Sequence, residues 1–249
     1  MTYIRVENLT IQYSEYSPGY SLKRKLINSL RGINSEPETR NTRGCAPITN
    51  LSFALKEGDR LILLGKNGAG KTTLLKALSG IYEPSEGLIE MKGTRSSLID
   101  IGAGLDFGLT GEENTRLHYL MRKNVFSDIS CEQYVLAVKN FSGLLEDFYK
   151  PVSSYSSGMF VRLTFAMVTE VAPEILLLDE WLSAGDSRFM ANADSRMNHL
   201  ATQAKILVLA THSEELALKW GTKAILLGSE KLYHFENIKE AFEFYRNDH

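Results

Sequence analysis

Leu61-Ile62-Leu63-Leu64-Gly65-Lys66-Asn67-Gly68-Ala69-Gly70-Lys71-Thr72-Thr73 sets four aliphatic residues against three glycines, two lysines and two threonines. A short, wholly apolar run closed by glycine predicts a strand buried on both faces of a parallel sheet. Lys71 to Leu78 then reads as a helix. Between strand and helix, Gly65 to Thr72 fits GxxxxGK[ST] at every required position. Glycines let backbone N–H groups curl round an anion, and the helix N-terminus adds its partial positive charge. Gly65, Lys66, Asn67, Gly68, Ala69, Gly70, Lys71, Thr72 and Thr73 are therefore the candidate phosphate-binding residues of an ATP site. Lys71 is expected to reach the β- and γ-phosphates, and the Thr72 hydroxyl to ligate Mg²⁺. A glycine-rich turn that happens to hold Lys-Thr is the bland alternative; the flanking strand and helix argue against it.

Further apolar runs at Ile175–Leu178, Ile206–Ala210 and Ala224–Leu227 look like sister strands separated by helical stretches. Tyr3 to Tyr13 and Ile48 to Leu55 read as additional strands, and Thr110 to Ser153 is polar and helical without a clear strand. The pattern predicts an α/β fold. It comprises a mostly parallel core sheet, an N-terminal antiparallel β part and an inserted helical subdomain, all in one domain over 1–249, with the helical insertion at 110–160. Ile175-Leu-Leu-Leu-Asp179-Glu180 ends a buried strand on two adjacent carboxylates. Strand ends beside a phosphate loop are where a metal-holding and a water-activating group belong. Asp179 is expected to hold Mg²⁺ through water, and Glu180 to orient or deprotonate the attacking water. By itself Asp-Glu after a strand is often a solvated turn, and the upstream phosphate loop is what favours catalysis.

Composition narrows the class. The 249 residues include 28 Lys and Arg against 30 Asp and Glu, a net charge of −2 that offers no basic excess for nucleic acid. Two cysteines, Cys45 and Cys131, stand in no metal-ligand spacing, and a reduced, cytosolic protein is expected. No apolar signal-peptide core opens the chain, and no run approaches the ~20 apolar residues of a membrane-spanning helix. Residues 20–44 carry six basic residues against two acids, with Leu22, Leu26, Ile27 and Leu30 at helical spacing. A basic insertion over 14–44 with a short amphipathic helix follows from that pattern.

No Asn-Lys-x-Asp base reader of a GTPase is present. Instead Tyr155-Ser156-Ser157-Gly158-Met159 lies ahead of Asp179, with Ser156 23 positions before the aspartate. This segment resembles the signature of ABC ATPases, usually LSGGQ. Tyr155 replaces its Leu, Ser157 its first Gly and Met159 its Gln, while Ser156 and Gly158 keep a hydroxyl and an open backbone at a helix N-terminus. Asp179-Glu-Trp-Leu-Ser-Ala-Gly-Asp186 looks like the family's run from catalytic glutamate into the D-loop, with Asp186 its aspartate. Ala210-Thr-His212-Ser resembles the switch-histidine segment, in which His212 would contact the γ-phosphate. Asn8-Leu-Thr-Ile-Gln-Tyr13 resembles the A-loop, whose aromatic ring stacks on adenine; Tyr13 is the first choice, with Tyr16 and Tyr20 as substitutes.

One departure stands out: the only glutamines are Gln12, Gln133 and Gln203, so the slot of the family's Q-loop glutamine holds Ile101-Gly-Ala-Gly-Leu-Asp-Phe-Gly-Leu-Thr110-Gly-Glu-Glu-Asn114. Gly-Ala-Gly before Leu-Thr-Gly-x-x-Asn, Tyr-Ser-Ser-Gly-Met, Ser-Ala-Gly-Asp and the basic insertion together resemble the ATPases of bacterial polysaccharide exporters, which handle O-antigen, capsule or teichoic acid chains. Only 37 residues follow His212, which matches the short form without a C-terminal carbohydrate-binding domain. The resemblance implies a homodimer trapping two ATPs. It also implies docking on an integral membrane permease at the cytoplasmic face of the inner membrane, and movement of a lipid-linked polysaccharide. An ATPase of a lipid or drug transporter is the alternative, and a non-transport ABC machine the more distant one.

Overall fold

Strands β1 (Tyr3–Ile11) and β2 (Ile48–Lys56) pair antiparallel, and β4 (Glu86–Lys92) adds to the other side of β1, giving the order β2-β1-β4. The computed structural model describes residues 1–12, 48–99, 102, 104–122, 129–180, 187–228 and 232–247, the side chains of 187 and 188 excepted. Tyr13, Tyr16 and Tyr20, the basic insertion 14–44 and Asp186 lie outside the described residues. Along β1, Ile4, Val6, Leu9 and Ile11 are buried, and the register shifts between Val6 and Leu9. Asn8 sits in that irregularity at φ 48°, a left-handed conformation that Asn tolerates better than most residues.

A second sheet has the order β5-β6-β7-β3-β8-β9, with β5 (Arg95–Leu98), β6 (Ile175–Asp179), β7 (Ile206–Ala210), β3 (Arg60–Leu64) and β8 (Lys223–Leu227) parallel and β9 (Leu232–Phe235) antiparallel at the edge. The apolar runs of β3, β6, β7 and β8 are buried because both faces are covered. Ile62, Leu64, Leu176, Leu178, Leu207 and Leu209 point into one core with helices α4 (Ser157–Thr169), α5 (Ser187–Gln203), α6 (Glu214–Trp220) and α7 (Ile238–Asn247). The alternate residues Leu61, Leu63, Leu177, Val208 and Ile225 join α1 (Lys71–Leu78) and the antiparallel sheet in the other. The period of two that divides neighbours between opposite faces is why a run of consecutive aliphatic residues suits a doubly covered strand.

Helices α2 (Gly111–Met121) and α3 (Cys131–Ser142), with 3₁₀ turns at Leu145–Tyr149 and Val152–Ser154, close around a third core containing Tyr134, Val138, Phe148 and Leu163. Both helices open on a capping box, Thr110 with Glu113 and Ser130 with Gln133, which satisfies N–H groups that a helix leaves unpaired. This core runs on to Met167, so α4 serves it and the sheet alike.

At the N-terminal ends of the parallel strands, the Glu174 carboxylate accepts from Lys205 Nζ at 2.7 Å, Thr94 N at 2.9 Å and Thr2 Oγ1 at 3.1 Å. One side chain thereby fastens the antiparallel sheet to the parallel one, and these donors hold its pKa down to about 2.

Candidate functional site

β3 lies between β7 and β8 in the sheet, and β6 is next beyond β7. The C-terminal ends of β3, β6 and β7 therefore deliver Gly65, Asp179 and Thr211 to one edge. A cleft of about 460 Å³ opens there, lined by Asn67 to Thr73, Asp179, Glu180 and His212. Residues predicted from three separate motifs meet in it.

The loop's glycines are conformational requirements. Gly65 has φ 146°, and a Cβ there would stand 2.6 Å from the Leu227 carbonyl oxygen. Gly70, the N-cap of α1, has φ 99°, and no side chain caps the helix. Lys71 is only 8% exposed, and its ammonium donates to the carbonyls of Gly65 at 2.6 Å and Lys66 at 3.1 Å. Burial pushes its pKa down, while the Glu180 and Asp179 carboxylates pull it back up. The loop thus wraps a cation that has given up much of its water and is ready to exchange carbonyls for a stronger anion. Thr72, on the first turn of α1, is exposed toward solvent.

Glu180 follows β6 with φ 56°, a conformation that costs a non-glycine residue about 1–3 kcal/mol. Its N–H donates to the Ala210 carbonyl at 2.9 Å, which holds the turn against β7. The carboxylate is thereby aimed into the cleft, 3.6 Å from His212 Nε2, and no direct hydrogen bond spans that distance. Thr211 is buried, and its hydroxyl accepts from Ser213 N at 3.0 Å, shaping the turn that presents His212.

Ser156, Ser157 and Gly158 do not line this cleft; they form the N-terminus of α4. Ser156 Oγ accepts from Met159 N at 3.3 Å, and a Cβ on Gly158 would meet nothing within 4 Å. An open, serine-capped helix end suits an anion brought from outside the chain.

The approach to that helix contains features the sequence did not disclose. The Tyr155 hydroxyl donates to the Asp147 carbonyl at 2.8 Å and lies where a Cβ on Gly111 would be, at 2.4 Å. Asn114 is buried; its amide donates to the carbonyls of Asp106, Leu109 and Thr110, and its oxygen accepts from Asp106 N. Val152 and Ser153 N–H groups donate to the Leu109 and Phe107 carbonyls at 2.9 Å each. The segment in the Q-loop slot and the lead into the signature helix are thus one hydrogen-bonded unit. Tyr155 lies against Gly111, and Asn114 closes the same segment, so both departures from the common motifs belong to this unit.

A family model described as ABC transporter matches residues 48–183. The chain is 36% identical over 220 residues to an O-antigen export system ATP-binding protein of Yersinia enterocolitica, spanning 88% of this chain and 91% of that one. It is 32% identical to the ATP-binding protein BexA of Haemophilus influenzae over 80% of this chain and 88% of the relative. A teichoic acids export ATP-binding protein of Bacillus anthracis is 31% identical over 96% of this chain, which spans only 42% of that longer protein. Among solved structures, one described as the ATP binding subunit of an ABC transporter superposes with a TM-score of 0.67 at 20% identity, covering 97% of this chain and 92% of the other.

Proposed function

The chain belongs to the ABC transporter family as an ATP-binding subunit with ATPase activity, and from that premise we propose that it powers export of a lipid-linked polysaccharide of the O-antigen, capsule or teichoic acid type through a separate membrane permease. In this reading it works at the cytoplasmic face of the bacterial inner membrane. None of the described helices is long and apolar enough to cross a membrane, which suits a subunit that docks on the translocation path. The names of two of these relatives, an O-antigen and a teichoic acids export protein, support the polymer class.

The observation that carries the mechanism is the division of the motifs. Lys71, Thr72, Asp179, Glu180 and His212 share one cleft, while Ser156 to Gly158 stand outside it. Two copies arranged head to tail would place each signature helix over the other's phosphate loop. The backbone of Gly65 to Thr73 and the Lys71 ammonium bind the β- and γ-phosphates. Thr72 directly and Asp179 through water would hold Mg²⁺, a hard cation that suits oxygen donors and substrate phosphates. When bound, Mg²⁺ would neutralise charge on the phosphates. Glu180, fixed by its turn, takes or orients the proton of the attacking water. His212 donates toward the γ-phosphate and helps hold the attacking water in place. Ser156 and Gly158 of the second copy complete the phosphate's surroundings, and Asp186 contributes from the D-loop.

Glu180→Gln is expected to keep ATP binding and to lose about 10²–10⁴-fold in hydrolysis, the usual worth of a positioned general base. In the producing bacterium, the same variant should leave lipid-linked polymer accumulating inside with surface polysaccharide lost. Normal turnover would remove Glu180 from its role, and normal surface polysaccharide in a strain carrying only the inactive chain would overturn the export reading.

A further inference from the structure

Glu170 stands at the C-cap of α4, where a carboxylate has the wrong sign, since the last carbonyls of a helix already concentrate negative charge there. Arg196 of α5 supplies the answering cation. Its Nη1 donates to Glu170 Oε2 at 2.9 Å, and the two side chains are only 23% and 18% exposed. Burial pushes the arginine's pKa down, while the Glu170 carboxylate pulls it back up. Either partner alone would be a charge withdrawn from water and uncompensated, so the pair holds its geometry firmly.

The same guanidinium lies over the ring of Phe141 in α3, with Cζ 3.5 Å from the ring centroid. Two cores meet at Phe141, which packs against the sheet core and against the core of the helical part. Its ring stands 5.9 Å from Phe165 of α4 and 5.8 Å, edge to face, from Phe189 of α5. α5 itself is rooted in the sheet core through Ala193, Met197 and Leu200. Arg196 therefore reaches from a helix fixed on the sheet to two helices of the helical part at a single point. A planar cation can donate to a carboxylate while its face rests on a ring, and a lysine ammonium could not match both.

We propose that Arg196 is a positioning residue for hydrolysis in the opposite copy: its grip on Glu170 and Phe141 sets the angle at which α4 presents Ser156 and Gly158 to the other copy's phosphate cleft. The proposal rests on the reading in which each signature serves the other copy's ATP, and it adds what aims the signature helix. The lever is long. α4 has 13 residues, which at ~1.5 Å each puts Ser156 about 20 Å from the clamped end. A tilt of about 10° there would swing the serine cap by about 3.5 Å, and a misplacement of ~1 Å can cost about 10²-fold in rate. The cleft of the same copy is not on this lever. Lys71, Glu180 and His212 ride on the loop after β3 and the turns after β6 and β7, and none of them is a partner of the clamp.

The test mixes two versions of the full chain. In a large excess of Glu180→Gln chain, which keeps ATP binding, each hydrolysing chain is paired with a Glu180→Gln copy. Single-turnover hydrolysis then reads the cleft of the first and the signature of the second. Arg196→Met on the Glu180→Gln chain is expected to slow that turnover about tenfold or more, with the ATP affinity of each isolated chain unchanged. Placed on the hydrolysing chain instead, it should leave the rate near that of the unmodified mixture. A merely structural loss would follow whichever chain carried the change, so equal slowing in the two mixtures overturns the proposal, as does no slowing in either. Gly158→Asp is the control. If it too lacks the one-sided effect, the shared-site reading falls; if it shows the effect and Arg196→Met does not, only the role of Arg196 falls. Should Arg196→Met fail to fold, Phe141→Leu, which removes the ring and keeps the ion pair, is expected to give the same one-sided slowing in smaller measure, and its absence is equally decisive.

Discussion

Two helix starts in this protein are proposed to meet a phosphate, and they are built differently. α1 begins at Gly70, left-handed and without a side-chain cap, over a lysine folded back onto its own loop. α4 begins at Ser156, extended, with its hydroxyl already engaged by Met159 N. The first is a complete anion site held shut by its own cation. The second is an ordinary capped helix end whose only peculiarity is open space over Gly158. A nucleotide should therefore bind α1 in the isolated chain and reach α4 only through a second copy.

Lys71→Ala tests the first half of that contrast most severely. Removing two charge-assisted hydrogen bonds to phosphate, each about 1.5–3 kcal/mol, should weaken ATP binding roughly 10²-fold or more by calorimetry. The nucleotide-free fold should hold, since burial already disfavours that cation. Unaltered affinity would mean the loop is not the phosphate site.

Gly158→Asp tests the other half. ATP binding by the single chain should be unaffected, while ATP-driven dimerisation, read by light scattering, falls at least tenfold because like charges would face each other across the closed site. Stability should stay level or rise by about 0.3–1 kcal/mol, since an acid suits the first turn of a helix and nothing obstructs it. Dimerisation equal to wild type would dissolve the distinction between the two helix starts.

A smaller effect is expected at the support of α4. Gly111→Ala places a methyl group against the Tyr155 hydroxyl and the Phe148 carbonyl, and overpacking of this kind costs about 1–3 kcal/mol in chemical denaturation. Adding Tyr155→Leu should recover part of that loss, whereas strictly additive variants would show that the pair is not coupled.

The smallest concerns Glu174, at the strand ends opposite both helices, and should treat them alike. Its folded pKa of about 2 lies below the ordinary carboxylate value of 4.5, so its contribution is fully present above pH 4.5 and is lost as pH falls toward about 2. A third of the side chain is exposed, so screening limits the effect to about 1 kcal/mol. Glu174→Gln should flatten that part of the stability curve; an unchanged curve would assign the acid loss to other carboxylates.

What could be read from the sequence divides along similar lines. The α1 loop is a contiguous motif between two strong local patterns, and it drew attention to Asp179 and Glu180 at the end of an apolar run, whereas His212 was legible only through the resemblance to ABC ATPases. β4 and β5 escaped notice because Glu86–Lys92 is largely exposed and Arg-Ser-Ser-Leu is mostly polar; each is a strand through its partner's hydrogen bonds. Asn114 read as one more polar helical residue, since nothing local shows that its amide closes a loop eight residues back. The Gly111–Tyr155 fit spans 44 positions, and the Arg122–Arg95 contact joins a helix end to a strand start. Long-range complementarity of single side chains leaves no periodicity behind.

The left-handed backbone at Glu180 has an evolutionary consequence. A residue with a Cβ and a carboxylate occupies a position where glycine would be more comfortable, so with Glu180 in its proposed role, drift toward a sturdier protein and retention of turnover would pull in opposite directions at that one site. A laboratory selection for heat resistance alone would enrich Gly or Asn at position 180 and deliver durable proteins that bind ATP without splitting it. In any descendant that lost activity but kept its fold, position 180 is where the sequence would be expected to relax first.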